Sequence, residues 1–423
     1  MKKTNALERQ RSVYIAGAAG VRQQIPFDPV LLEQKASLRM SPAAWAYVAG
    51  GAGLERTVAA NRSDFDSRRI VPRMMRNVEE RDLSTDFFGQ RISAPLFLAP
   101  IGVLQMAHPE ADSAVAAAAA EWGIPYIFSN QASVPMEQCA AAMGASPRLF
   151  QLYWSRSNDL VVSFLQRAEA CGCSGLVVTL DTTMLGWRIR DLDLGSLPFL
   201  QGMGIAQYTS DPVFQRLMDE PEDTGATPRG TITYDAIRTL LASARHVPGG
   251  FWNNIRSGRA LRAVRTFTRI YSRPNITWAD LPFLRQNTRL PIILKGIMHP
   301  DDARKALDYG VDGIYVSNHG GRQVDGSASS IAALPSIVEV VRCKVPVLFD
   351  SGVRGGADVF KALALGATAV GIGRPYCYAL AIAGQAGVSE LLENWMADLE
   401  LTMGLAGCKN IEEVRQTQLA YGG

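Results

Sequence analysis

Eight short apolar runs, spaced by helical segments, constrain this chain more than any other feature. They are Leu96–Ala99, Tyr126–Ser129, Leu149–Tyr153, Gly175–Asp181, Ile292–Lys295, Gly313–Ser317, Val345–Asp350 and Ala369–Gly373. Runs this short, bounded by turn residues, read as buried strands. Helical patterning fills most of the intervals, over Ala111–Gly123, Met136–Met143, Asp159–Ala170, Asp301–Gly310, Leu334–Val341 and Gly356–Gly366. Strands that alternate with helices build a parallel sheet. Eight units in one series predict closure into a (β/α)8 TIM barrel, and a length of 423 residues accommodates one with insertions. No G-x-G-x-x-G follows the first run, which weighs against an open, doubly wound sheet.

The series is interrupted once. Between Asp191 and Leu290 lie about 100 residues where one loop and helix should sit; an insertion this long in a barrel is usually a lid or an oligomer contact. It holds a turn-rich stretch, Pro221–Gly230, and an amphipathic basic run through Arg256, Arg259, Arg262, Arg265, Arg269 and Arg273. That run fits a solvated face, a partner contact or attraction for an anionic substrate. Residues 1–25 show no clear periodicity and read as a tail. Helical patterning then runs from Pro26 to Gly51, and the Gly-rich exit Gly50-Gly51-Ala52-Gly53 is a reversal able to deliver Tyr47 to a specific place. The expected division is an N-terminal tail and helical segment (1–94), strands one to four (95–190), the lid insertion (191–290), and strands five to eight with C-terminal helices (291–423), all in one structural domain.

Composition excludes several classes. No run of 18 apolar residues is present to span a membrane. No apolar signal core follows the basic start Met1-Lys2-Lys3, and a formal charge of +3 gives no bias toward nucleic acid. Six scattered cysteines lack zinc spacing, so no metal is expected; they read as small thiols in a reducing cytoplasm.

Barrel enzymes build their sites from strand ends at the C-terminal rim. Here those ends carry Ala99-Pro100-Ile101-Gly102, Ser129, Gln151 with Tyr153, Thr179 with Asp181, Lys295, Ser317-Asn318-His319 with Arg322, Asp350 with Gly352 and Arg354, and Gly373-Arg374. The Gly-rich loops after strands seven and eight, with Arg354 and Arg374, form a phosphate cradle. Ser129, Gln151, Thr179 and Lys295 offer polar groups to a flat ring with N and O edges, and phosphate plus such a ring points to flavin mononucleotide, FMN. His319 is the one histidine of four at a strand end, and Asp181 is able to fix its tautomer. Arg188 and Arg322 are placed to grip a carboxylate from two sides, although pairing with Asp191 or Asp193 is an alternative. Tyr47 and Tyr153 are candidates to reach a substrate.

The runs Ser317–Gln323, Asp350–Arg354 with Gly356-Ala357-Asp358-Val359, and Gly371–Pro375 closely resemble the FMN-dependent L-2-hydroxy-acid oxidases and dehydrogenases. The likeness covers about residues 26–405. Within that family, Gly186–Asp191 and Tyr208–Gln215 look most like lactate 2-monooxygenases, which also have a long loop after strand four. The resemblance implies that Tyr47, Arg188 and Arg322 hold the substrate carboxylate and that Tyr153 contacts its hydroxyl. It implies that His319 is the base, assisted by Asp181. FMN is then held by Ala99 and the Pro100-Ile101-Gly102 turn, Ser129, Gln151, Thr179, Lys295, Ser317, Asp350, Gly352, Arg354, Gly373 and Arg374. The expected partners are a small L-2-hydroxy acid (lactate or a larger analogue) and dioxygen, in a cytoplasmic homotetramer or higher homo-oligomer. Oxidative decarboxylation of a retained 2-oxo acid is the expected outcome; release of 2-oxo acid with peroxide, or a quinone-linked dehydrogenase, are the alternatives. The chain departs from the family at four places. Leu54 replaces an acid, which is expected to alter N-terminal packing, Thr183 replaces a proline after Asp181-Thr182, Gln131 occupies an often aromatic site bordering the substrate side chain, and the stretch from about Asp219 to Asn275 is longer and more basic than in lactate 2-monooxygenases.

Overall fold

All eight apolar runs become parallel strands of one closed barrel. A computed structural model describes residues 5–220 and 234–422. The strands are β1 (Leu96–Leu98), β2 (Tyr126–Phe128), β3 (Arg148–Leu152), β4 (Leu176–Thr179), β5 (Ile292–Lys295), β6 (Gly313–Val316), β7 (Val347–Phe349) and β8 (Ala369–Ile372). Each pairs with the next in chain order, and β8 closes the ring on β1 through Val370↔Leu96, Gly371↔Phe97 and Ile372↔Leu98. Successive side chains of a strand point to opposite faces. One set, including Phe97, Ile127, Leu149, Val177, Ile293, Tyr315, Leu348 and Ala369, fills the barrel interior. The alternate set, such as Leu96, Leu98, Phe128 and Val178, packs outward on the helices. Burial on both faces is why the strands read as unbroken apolar runs rather than alternating ones.

Ahead of β1, a hairpin pairs Thr85–Phe87 with Gln90–Ile92, and its Phe87 and Ile92 join the interior cluster. Residues 1–25 differ from the expected tail: Ala6–Ala18 is a helix, capped by the Asn5 side chain accepting from Leu7 and Glu8 N–H groups. It lacks an apolar stripe because polar ties hold it. Ala6 N–H donates to Glu400 at 3.0 Å and Arg9 to Asn394 at 2.7 Å, both on the long C-terminal helix Arg374–Leu405. Antiparallel pairing of Arg68–Ile70 with Leu419–Tyr421 joins the segment ahead of the barrel to the segment after the long C-terminal helix. Among the described residues no helix is long and apolar enough to cross a membrane.

The 191–290 insertion is largely helical. It contains Pro212–Asp219, Tyr234–His246, Phe251–Ser257 and Arg259–Ile270, and Leu281–Asn287 supplies a helix just before β5. The turn-rich Pro221–Gly230 lies outside the described residues. Arg259–Ile270 buries Ala260, Ala263, Val264, Phe267 and Ile270, while Arg265 and Arg269 point outward. Arg273 instead pairs with Asp280 at 3.1 Å, so the basic run is not one uniform face. Aromatic packing fastens the insertion to the barrel. The Phe267 ring lies 4.9 Å from Tyr208, which lies 5.1 Å from Phe164 on the barrel helix Asn158–Ala170. Fully buried Asp211 adds polar ties, accepting from Ser163 at 2.8 Å and pairing with Arg167 at 3.0 Å. Truncating a buried Phe removes its transfer energy and leaves a cavity. Phe267→Ala should therefore cost about 3–5 kcal/mol in urea unfolding; a loss under about 1 kcal/mol would show that this cluster does not anchor the insertion.

Candidate active site

Strand register places the polar strand ends around one cleft at the C-terminal rim, with about 1070 Å³ of empty space, the open mouth included. Among the residues singled out in the sequence, Tyr47, Ala99, Pro100, Ile101, Gly102, Tyr153, Arg188, Lys295, His319, Arg322, Asp350, Gly352, Arg354, Gly373 and Arg374 line it. Ser129, Gln151, Thr179, Ser317 and Asp181 stand just behind that surface.

His319, Asp181 and Lys295 form its electrostatic centre. His319 Nδ1 lies 2.8 Å from Asp181 Oδ1, and Lys295 Nζ lies 3.7 Å from Asp181 Oδ2. Burial pushes the Asp181 carboxyl up, but the Lys295 and His319 charges outweigh this and hold it well below the usual carboxylate range. Burial, with Lys295 and Arg188 beside it, keeps the His319 imidazole below its ordinary value despite Asp181. At neutral pH the pair is therefore carboxylate and neutral imidazole. With Nδ1–H donated to Asp181, the lone pair sits on Nε2. His319 itself has φ 59°, a left-handed conformation uncommon outside glycine and frequent at functional sites. Gly296 sits opposite at φ 102°, and a Cβ there would fall 2.9 Å from the Asp181 Cβ, so no side chain fits beside this carboxylate.

Arg322 is half-buried and lies over the Tyr47 ring at 5.0 Å, with the buried Arg188 at 6.0 Å from the same ring. Neither guanidinium has a carboxylate within salt-bridge distance among the described residues; Arg188 donates to Gln323 Oε1 at 3.2 Å and Arg322 to the Gly50 carbonyl at 2.9 Å. Burial and the charges of Arg188 and Arg374 act against the Arg322 cation, so an anion in the cleft relieves it. Burial likewise raises the Tyr153 phenol, leaving it a proton donor.

The polar groups behind the lining satisfy one another. Gln151 donates to Thr179 Oγ1 at 3.0 Å and accepts from Asn130 N–H at 3.0 Å, and Ser129 Oγ accepts from Gln131 N–H at 3.1 Å. Ser317 Oγ accepts from His319 N–H at 3.1 Å. Arg374 lines the cleft and also braces it. Its guanidinium donates to the Val48, Gly320 and Gly50 carbonyls at 3.0, 2.8 and 2.9 Å, pinning the Gly50 turn against the His319 loop. Arg354 is half-buried with its own Val353 carbonyl as acceptor, and desolvation acts against its cation.

Sequence reading missed several lining residues. Thr182 donates to Asp181 Oδ1 at 2.9 Å and was signalled only by its neighbour in the chain. Leu185, Phe199 and Tyr271 reach the cleft from the long loop after β4; no periodic pattern marks the first two, whereas Tyr271 ends the amphipathic run. Leu54, expected to disturb packing by replacing an acid, is exposed. The capping carboxylate comes instead from Asp325, which accepts from the Leu54 and Arg56 N–H groups at 2.7 Å each. His299 caps its helix through Nδ1, accepting from Asp301 N–H at 3.1 Å.

A family model described as FMN-dependent dehydrogenase matches residues 36–421. The chain belongs to this family. It is 43% identical to an FMN-dependent alpha-hydroxy acid dehydrogenase of Penicillium citrinum, over 92% of this chain and 89% of that one. It is 37% identical to an L-lactate oxidase of Lysinibacillus sphaericus, over 94% of each. Crystal structures of mandelate oxidase superpose with a TM-score of 0.75 at 33% identity, covering 94% of this chain and 99% of that chain. The chain is thus an FMN-dependent α-hydroxy-acid oxidoreductase on a (β/α)8 barrel. Its cleft fits that cofactor: Arg354 is a half-buried cation with no carboxylate partner among the described residues, and a Cβ built on Gly373 would meet nothing within 4 Å, leaving room for a phosphate.

Because the chain has only four histidines, His319 is resolvable by NMR titration. Its imidazole should titrate below the ordinary value of about 6.5, and Asp181→Asn should move it further down, since the carboxylate supports the cation. A value above 7 in the native enzyme would contradict the burial described here.

Proposed function

We propose that this cleft oxidises a small L-2-hydroxy acid with dioxygen as electron acceptor, and that the 2-oxo acid is retained and oxidatively decarboxylated, as in lactate 2-monooxygenases. The observation that carries the reading is the His319–Asp181 pair facing the same space as two guanidiniums, Arg188 and Arg322, that have no carboxylate partner among the described residues.

Bound FMN supplies the acceptor for the electron pair and hydrogen leaving the substrate α-carbon. Arg322 and Arg188 hold the substrate carboxylate between them, with Tyr47 beneath, and Tyr153 donates to the substrate oxygens. His319 Nε2 accepts the hydroxyl proton, and Asp181 holds the ring and supports the imidazolium that forms. Lys295 holds a fixed positive charge beside the ring site, in place before charge develops. Arg354 and the Gly352 and Gly373 turns hold the phosphate, Asp350 and the Ala99–Gly102 turn border the rest of the cofactor, and Ser317 and the Ser129–Gln151–Thr179 row support the site from behind. Arg374 contributes by fixing the Gly50 turn to the His319 loop.

Leu185, Phe199 and Tyr271 line the cleft from the long loop, and this cover supports retention of the oxo acid. Likeness to an L-lactate oxidase favours the second reading, release of 2-oxo acid with peroxide. The exposed apolar residues Met184, Trp187, Leu192 and Leu194, in the segment after β4, favour self-association, and we take the enzyme to be a cytoplasmic homotetramer or larger homo-oligomer.

Turnover of L-lactate in air should give acetate and carbon dioxide; pyruvate with peroxide selects the second reading, and turnover that needs a quinone in place of oxygen overturns both. His319→Ala should keep FMN and lose about 100- to 10,000-fold in flavin reduction rate; near-normal reduction removes His319 as base. In the native enzyme kcat/KM should fall toward acid pH through an apparent pKa below about 6.5, because the base must be neutral and burial holds it low.

A further inference from the structure

His319 stands in a left-handed conformation at φ 59°, and Gly320 and Gly321 follow it at φ 66° and 76°. Glycine adopts this region freely, but a histidine persists there only where its surroundings over-determine it. Three consecutive N–H groups show how. His319 N–H donates to Ser317 Oγ at 3.1 Å, Gly320 N–H to Ser351 Oγ at 3.0 Å, and Gly321 N–H to Asn318 Oδ1 at 3.2 Å. The first two acceptors are hydroxyls. The third is one end of an amide, which must be held the right way round.

Asn61 holds it. This residue lies on the helix Arg56–Asp66, ahead of the barrel, and is 2% exposed. Its Nδ2 donates to Asn318 Oδ1 at 2.9 Å, while its Oδ1 accepts from Asn318 Nδ2 at 2.8 Å. Backbone groups fix the direction of both amides. Ser330 N–H donates to Asn61 Oδ1 at 3.2 Å, and the Ala328 carbonyl accepts from Asn318 Nδ2 at 3.1 Å. A flip of Asn61 would set a donor against Ser330 N–H, and a flip of Asn318 would set an oxygen against the Ala328 carbonyl. Asn318 Oδ1 therefore faces Gly321 N–H in one arrangement only, within a buried network that is stable when every member is satisfied.

The same helix also touches the turn after β7. A Cβ on Gly352 would fall 2.1 Å from the Asn61 carbonyl oxygen, and Arg62 donates to the Gly352 carbonyl and pairs with Asp358 at 2.7 Å. Those contacts come from the Asn61 backbone and from Arg62. The Asn61 carboxamide faces Asn318 and Ser330 instead, so it can be changed while the phosphate turn keeps its supports.

We infer that Asn61 is a positioning residue for His319: paired with Asn318, its carboxamide holds the loop after β6 in the left-handed turn that presents the imidazole to the cleft. This rests on the function proposed above, in which His319 is the base, and it adds a residue outside the cleft lining. Without the pair the Asn318 amide is free to turn from Gly321, and displacing a reacting group by about 1 Å can cost about 100-fold in rate.

The test is made on the FMN-loaded enzyme. Asn61→Asp keeps the shape but replaces the amide donor by an oxygen facing Asn318 Oδ1; Asn61→Leu removes both ends and is the second variant should the first fold poorly. Anaerobic flavin reduction is followed with L-lactate and, in parallel, with L-mandelate. The maximal reduction rate should fall about 10- to 100-fold, while substrate half-saturation and the FMN Kd, read from flavin fluorescence on dilution, stay within about threefold. A residue acting through His319 is also non-additive with it: in a His319→Ala background the same substitution should remove less than about threefold more. A native-like maximal rate, a loss carried by half-saturation or FMN affinity, a full further loss in the His319→Ala background, or loss of FMN in both variants overturns the inference. Native enzyme that neither acid reduces, or near-normal reduction of His319→Ala itself, fails the proposed function first and takes this inference with it.

Discussion

Asp181 holds the site together. Its carboxylate is buried between an imidazole from the loop after β6 and an ammonium from the end of β5, and it stands two residues beyond β4. Three adjacent staves of the barrel thus meet at one charge. Removing a partner from such a buried group leaves an uncompensated charge and typically costs 3–5 kcal/mol. The arrangement is tolerated because each oxygen faces a positive or potentially positive group. The same carboxylate decides which imidazole nitrogen carries the proton, so geometry and protonation state are set together.

A second layer of order comes from cleft arginines that also bind backbone carbonyls. Arg374 and Arg322 both donate to the Gly50 carbonyl, at 2.9 Å each. Through them the turn that delivers Tyr47 is bound to the ends of β6 and β8. Guanidinium forks suit this because several N–H groups in one plane can reach several carbonyls at once. An N-terminal segment that contributes no barrel strand is thereby part of the site's frame.

Much of this was legible in the sequence, for identifiable reasons. β1 to β8 are buried on both faces, so their apolar runs stand out, and their ends carry polar residues that hydrophobic patterning alone does not explain. His319, Asp181, Lys295 and Arg322 were found that way. What escaped notice depends on non-local contact. The helix Ala6–Ala18 has no apolar stripe because its anchors are Glu400 and Asn394, nearly 400 residues away. Phe199 reaches the cleft through tertiary packing of a short helix, which leaves no periodic mark. Residue type and position suggest an anion ligand at Arg374 but cannot show that three carbonyls also hold it. The capping role of Asp325 for a helix that begins near Leu54 is invisible for the same reason.

The small sheet that pairs Arg68 with Tyr421 has a consequence for how the molecule comes into being. Its strands are separated by about 350 residues, and closing so long a span carries an entropic cost that only the intervening barrel can offset. The N-terminal strand leaves the ribosome early and must wait, unpaired, while all eight barrel units are made. This clasp therefore belongs to the last stage of folding, after synthesis has passed Tyr421, and a chain stalled short of that point carries an open strand edge of the kind that recruits other chains.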